Sequence, residues 1–254
     1  MAAPEHDVAA AAKPSPQATA DALLEVTGLQ ATYGRRPVLF DVNLRVGPGE
    51  IVAMFGHNGA GKTTTLNAIF GRVRPARGSV VFDGHDITGT HAIDNVRRGM
   101  TLIPAERFVF ADLTVIDNLR LGAYRERSRA SIDERIAEVY EIFPILAERG
   151  DQLAGTMSGG QQRMLSIGIA LMTGPRLLLL DEPSLGLSPA LVQQMMEVIG
   201  RLARERSLSV LLIEQNVVQT LGVVDRAYFM RSGRIILEEQ AEQLRARESY
   251  WDLF

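Results

Sequence analysis

The chain has 254 residues, enough for one large or two small domains, and 46% are apolar, enough for a sizeable core. A formal net charge of only -3 argues against a general nucleic-acid binder, which shows a clear basic excess. The absence of cysteine excludes disulfides, thiolate metal sites and a cysteine nucleophile.

No run reaches the roughly 18 apolar residues of a membrane span. The first 21 residues are rich in Ala and Pro and carry Glu5 and Asp7 early, where a signal peptide would be basic and then apolar. They read as a disordered tail. From Phe40 to Val46 apolar residues alternate strictly, the pattern of a half-buried strand. Gly47-Pro48-Gly49 makes a turn, Ile51 to Phe55 a buried parallel strand, and Lys62 to Phe70 a helix. Further buried strands are expected at Met100 to Ile103, Leu177 to Leu180, Val210 to Ile213, Tyr228 to Met230 and Ile235 to Leu237. Helical patterns separate them, at Gln161 to Met172, Pro189 to Arg206 and Gln215 to Leu221. This alternation implies an α/β fold with a mainly parallel sheet. From about Val115 to Ala154 there are helical patterns and no strand. Ile132, Ile136, Val139, Tyr140 and Phe143 share one face there, and Pro144 ends it. An all-helical insertion into the α/β core is expected.

Two motifs carry chemistry. Gly56-His57-Asn58-Gly59-Ala60-Gly61-Lys62-Thr63 fits G-x-x-x-x-G-K-[ST] without mismatch, between a strand and a helix. Glycines let backbone N–H groups approach phosphate oxygens, and the helix start aims its positive dipole end at them. Lys62 then bridges β- and γ-phosphates and the Thr63 hydroxyl ligates Mg²⁺. Second, Leu177-Leu178-Leu179-Leu180 ends in Asp181-Glu182, two carboxylates at the edge where ligands sit in such sheets. Asp181 is the expected Mg²⁺ holder and Glu182 the base that activates water. The four histidines show no ligand spacing, and Arg125 to Arg129 reads as a solvated face.

Between these motifs lies Met157-Ser158-Gly159-Gly160-Gln161-Gln162-Arg163, which resembles the LSGGQ signature of ABC ATPases with Met in the Leu place. The resemblance covers about Leu23 to Glu239. It implies a P-loop NTPase fold with an antiparallel β part near the N-terminus, an ABC ATPase domain over residues 22–254, and a helical subdomain over about 105–160. It also implies ATP and Mg²⁺ as ligands, with Thr64 beside Thr63 in the phosphate loop. Ser158, Gly159, Gly160 and Gln161 would face the γ-phosphate held by a second ATPase subunit. Tyr33 takes the place of an aromatic that stacks on adenine. Ser184 to Ser188 resembles the loop that crosses the dimer, with Ser188 in place of its usual Asp. Two further departures stand out. Gln215 replaces the switch histidine. Ala105 replaces the Gln or Glu that meets Mg²⁺ and water, with Glu106 one residue away as the alternative.

Pro104-Ala105-Glu106-Arg107, the run Phe110 to Val115, Asp181 to Pro189 and Glu214-Gln215-Asn216 resemble the LivF-like ATPase of branched-chain amino-acid importers. That resemblance implies a peripheral subunit on the cytoplasmic face of the inner or plasma membrane. Its implied partners are a second ATPase (the same chain or a LivG-like paralogue), two membrane permeases and, indirectly, an extracytoplasmic solute-binding protein; nucleic acid is not among them. Importers of urea, amides or other solutes share much of the pattern. Two other readings stay open: an ABC ATPase without a membrane partner, and a weakly hydrolysing nucleotide-dependent switch.

Overall fold

The computed structural model describes residues 22–106, 108–247 and 250; the expected N-terminal tail, Arg107 and the apolar Trp251, Leu253 and Phe254 lie outside the described residues. The chain forms two sheets. One is antiparallel and runs β2-β1-β4-β5, from β1 (Leu24–Tyr33), β2 (Arg36–Val46), β4 (Arg77–Phe82) and β5 (His85–Asp86). The other runs β10-β9-β3-β8-β7-β6, from β3 (Ile51–Phe55), β6 (Met100–Ile103), β7 (Leu177–Asp181), β8 (Ser209–Glu214), β9 (Arg226–Arg231) and β10 (Arg234–Gln240). All its pairings are parallel except β10 on β9.

The continuous apolar runs follow from burial on both faces of the large sheet. In β3, Ile51, Ala53 and Phe55 enter one core while Val52 and Met54 enter the other. In β7, Leu178 and Leu180 enter the first core, and Leu177 and Leu179 the second. The second core lies toward the antiparallel sheet and α1 (Lys62–Phe70); the first lies under α6 (Gly159–Leu171), α7 (Pro189–Arg206) and the helical insertion. Each fully buried leucine contributes about 1.5–3 kcal/mol.

The expected elements form with few changes. In β2, Val42, Leu44 and Val46 are buried, but the alternation breaks at Phe40, and Leu39 takes the core position. Between Leu39 and Val42, β2 holds one residue more than β1, with Asp41 at φ 60°, so a bulge reverses the facing. A similar break near Gly28 hides β1, whose buried residues shift from Leu24 and Val26 to Leu29 and Ala31. The helix expected from Gln215 begins later, as α8 (Val217–Thr220), with Asn216 as its cap. Gln215 stays outside it, and its side chain is available elsewhere.

The all-helical stretch consists of α3 (Val115–Gly122), α4 (Arg129–Ile142) and α5 (Pro144–Glu148), followed by a short 3-10 turn at Ala154–Thr156. Ile136, Val139 and Phe143 are buried on the expected face, and Pro144 opens α5 where α4 stops. The remaining helices are α2 (Ala92–Arg97) and α9 (Ala241–Arg245). Ala241 and Leu244 bury in the main core, and the Tyr250 hydroxyl donates to the Leu244 carbonyl at 3.1 Å, so this part of the C-terminal tail docks on its own domain.

Candidate functional site

The C-terminal ends of three neighbouring parallel strands converge. β8 lies between β3 and β7. The phosphate-loop motif follows β3, Asp181-Glu182 ends β7, and Glu214-Gln215 ends β8. Gly56 is required where β3 passes into the loop: a Cβ there would lie 2.4 Å from the Met230 carbonyl oxygen of β9. Gly61 caps α1 at φ 110°, a left-handed conformation open to glycine, and offers no side chain to bond the first-turn amides. Those amides face forward without intrahelical partners. His57, Asn58 and Gly59 form the exposed rim of the loop. Ala60 donates its amide to the His57 carbonyl at 3.1 Å and accepts from the Gly233 amide at 2.7 Å, which ties the loop to the β9–β10 turn.

Lys62 turns back into this cradle. Its side chain is 4% exposed and donates to the carbonyls of Gly56 (2.7 Å) and His57 (3.2 Å). Its ammonium lies 3.8 Å from Glu182 Oε1. Burial lowers the Lys62 pKa, against the pull of Glu182, Asp181 and Glu214. Thr63 Oγ1 donates to Asp181 Oδ1 at 3.2 Å. Burial pushes the Asp181 carboxyl upward, and Thr63 and Lys62 only partly offset it. Thr64 is buried on the inner side of α1.

Gln215 Nε2 donates to Glu182 Oε1 at 2.9 Å. The glutamine in the switch position therefore holds the carboxylate expected to activate water. Glu182 has φ 44°, a left-handed backbone unusual for a side-chain-bearing residue. Glu214 is buried; its carboxylate accepts the Ser184 amide at 2.8 Å and the Gln215 amide at 3.3 Å. Burial raises its pKa as well. Sequence reasoning assigned Glu214 no role, although it ends an apolar strand just as Asp181 does.

Lys62, Thr63, Asp181, Glu182 and Gln215 thus form one cluster. Ser158, Gly159, Gly160 and Gln161 do not join it in this chain. Ser158 caps α6, accepting the Gln161 amide at 3.4 Å while Gln161 Oε1 accepts the Ser158 amide at 3.0 Å. That turn is partly exposed, with Ser158 at the surface and Gly160 buried. Tyr33 ends β1 and is 53% exposed. Ser188 caps α7, accepting the Leu191 amide at 3.5 Å, a job Asp and Ser do equally well. Glu106 is exposed and Ala105 half-buried.

A carboxylate strained by burial beside a threonine hydroxyl is a hard-oxygen pair suited to Mg²⁺. Among the described residues no three His, Asp or Glu side chains gather into a self-sufficient metal site, so phosphate oxygens would have to complete the shell. Backbone donors, one lysine and a Mg²⁺-compatible pair together fit a nucleoside triphosphate.

Residues 39–185 match the family described as ABC transporter. The chain belongs to that family. As an ABC ATPase it binds ATP, and its hydrolysis of ATP is coupled to transport. The BraG high-affinity branched-chain amino acid transport ATP-binding protein of Pseudomonas aeruginosa is 41% identical over 232 residues, covering 90% of this chain and 99% of that protein. The probable LivF branched-chain amino acid transport ATP-binding protein of Archaeoglobus fulgidus is 35% identical, covering 90% and 96%. The LptB lipopolysaccharide export ATP-binding protein of Haemophilus influenzae is 38% identical, covering 87% and 92%. A crystal structure of a nucleotide-free ATP-binding cassette from an ABC transporter superposes with a TM-score of 0.81 at 25% identity, over 91% of this chain and 97% of that one. No described helix of the cassette is long and apolar enough to cross a membrane.

Proposed function

We propose that this cassette hydrolyses Mg-ATP to drive import of branched-chain or related amino acids through two membrane permeases. The observation that carries the substrate class is the 41% identity to BraG over 99% of that protein's length. The run Pro104 to Val115 and the Glu214-Gln215-Asn216 switch support the same subgroup. Lipopolysaccharide export is the second reading, favoured by the 38% identity to LptB.

In the proposed reaction the triphosphate enters the loop of residues 56–64, with adenine stacked on Tyr33. Lys62 leaves the Gly56 and His57 carbonyls for phosphate oxygens, a stronger charge-assisted partner. Thr63 and Asp181 would hold Mg²⁺, which neutralises charge on the transferring phosphoryl group. Glu182, oriented by Gln215, accepts the proton of the attacking water. Most of the acceleration is positioning and electrostatics. The partly exposed turn at Ser158 to Gln161 meets the γ-phosphate bound by a second ATPase subunit, a copy of this chain or a LivG-like paralogue. The pair sits at the cytoplasmic face of the membrane, and a solute-binding protein outside supplies the permeases. The loop around Ala105 and the helical subdomain, about residues 105–160, carry the motion to the permeases.

Uptake of radiolabelled leucine, isoleucine and valine by cells lacking this chain tests the reading. Uptake is expected to fall, and to return with the parental chain but not with Lys62→Ala. Normal amino-acid uptake alongside defective lipopolysaccharide delivery would replace the proposal with the export reading.

A further inference from the structure

We infer that Arg163 is a positioning residue for Glu182, clamping the main chain on both sides of it. Arg163 is the one charged residue of α6 and lies on its second turn, 4% exposed. Its Nη2 donates to the Asp181 carbonyl at 3.1 Å and its Nε to the Pro183 carbonyl at 3.2 Å. Those two carbonyls flank Glu182. The third nitrogen, Nη1, donates to the Pro104 carbonyl at 2.8 Å, with the Ala105 carbonyl at 3.5 Å. One guanidinium therefore joins the signature helix, the residues around the base and the loop after β6.

The geometry answers a need at Glu182. Its left-handed backbone costs on the order of 1–3 kcal/mol and persists only where surrounding contacts over-determine it. The Glu182 amide donates to the Ile213 carbonyl at 3.0 Å, and the Ser184 amide donates to Glu214. Arg163 supplies the opposite side, taking the carbonyls before and after the strained residue. A buried cation with no hydrogen-bonded carboxylate carries a desolvation penalty of several kcal/mol. Ordinary loop packing does not call for one. The guanidinium reaches carbonyls of two segments through five N–H donors held in a rigid planar fork; a glutamine amide offers only two donors, and a lysine ammonium three without that fixed geometry. Because α6 also carries the Ser158 turn, a shift of that helix relative to β7 moves the base.

The inference rests on the reading of Glu182 as the group that activates water. The test compares Arg163→Gln, Arg163→Lys and Glu182→Gln in the full chain. It measures phosphate release from Mg-ATP, KM, the affinity and stoichiometry of a fluorescent ATP analogue, and Tm. Arg163→Gln is expected to lower kcat about 10- to 100-fold, as a base misplaced by about 1 Å would. KM, analogue affinity and stoichiometry stay near parental values, and Arg163→Lys falls between. If Arg163→Gln does not fold, Arg163→Lys is judged on the same readouts. Parental kcat in a folded Arg163 variant overturns the clamp. So does a loss of kcat only in proportion to lost binding stoichiometry, which marks a packing role. Parental turnover in Glu182→Gln overturns the base assignment and the clamp together, whereas a silent Glu182→Gln beside fully active Arg163 variants removes the clamp alone.

Discussion

Gly56→Ala would test the cradle at its tightest point. The added Cβ would lie 2.4 Å from the Met230 carbonyl oxygen and 3.2 Å from Ala60 Cβ. The first distance is about 1 Å short of a normal contact, so β3 and β9 must separate or the loop must move. Overpacking of this kind costs about 1–3 kcal/mol, which lowers Tm by about 2–12 °C in a chain of this size. The same residue opens the loop whose backbone N–H groups receive the phosphates, so those donors move with it. Losing one charge-assisted bond from a loop N–H to phosphate costs about 1.5–3 kcal/mol, a fall in ATP affinity of about 10- to 150-fold. Thermal melts and titration with Mg-ATP give both numbers. Gly84→Ala is the control: it imposes a side chain at φ 73° with no atom within 4 Å, in the turn between β4 and β5. It should lose about 1–2 kcal/mol of stability to backbone strain and no ATP affinity. Parental affinity in Gly56→Ala, or a loss no larger than the control's, would refute the reasoning.

Other residues give separate expectations. Gln215→Ala removes the 2.9 Å bond to Glu182 and should slow phosphate release about tenfold with ATP affinity unchanged; an unchanged rate would deny Gln215 its orienting role. Asp181 and Glu214 both have folded-state pKa values raised by burial. Raised carboxyls bind protons more tightly in the folded chain, so their contribution is full below the unfolded pKa and is lost as pH rises through the folded value. Asp181→Asn should therefore melt above the parent near neutral pH without nucleotide, and the gap should close in acid; a gap independent of pH contradicts this. Ser158→Ala removes a cap worth about 1 kcal/mol, or about 2–4 °C, and should lower hydrolysis by the assembled pair while the single chain keeps its ATP affinity. Full activity in the pair would remove Ser158 from the shared site.

The motifs were legible because their chemistry fixes their spacing. A phosphate cradle needs glycine where Met230 presses on the chain, and the buried strand β7 presents Asp181 and Glu182 at its C-terminal end. The strands of the large sheet read easily for a related reason: both faces are covered, so Ile51 to Phe55 and Leu177 to Leu180 are wholly apolar. The antiparallel sheet was harder to read. Bulges near Gly28 and Asp41 reverse the facing of β1 and β2 mid-strand, and no fixed period survives them. Gln215 was expected inside a helix because the apolar spacing after it is helical; the capping preference of Asn216 starts α8 later. Arg163 and Glu214 are harder to assign from sequence, since their partners are backbone groups, most of them from distant segments. The signals were present nonetheless: one charge in the otherwise uncharged helix Gly159–Leu171, and one carboxylate ending the apolar run Val210 to Ile213.

The most direct measurement is phosphate release from Mg-ATP by the parental chain and by Glu182→Gln, with molecular mass determined in the same samples. The parental chain should release phosphate; the variant should bind Mg-ATP, release none, and accumulate as a two-ATPase assembly. A Glu182→Gln chain that turns over at the parental rate, or that stays single while loaded with ATP, would contradict a water-activating carboxylate working in a site shared between two subunits.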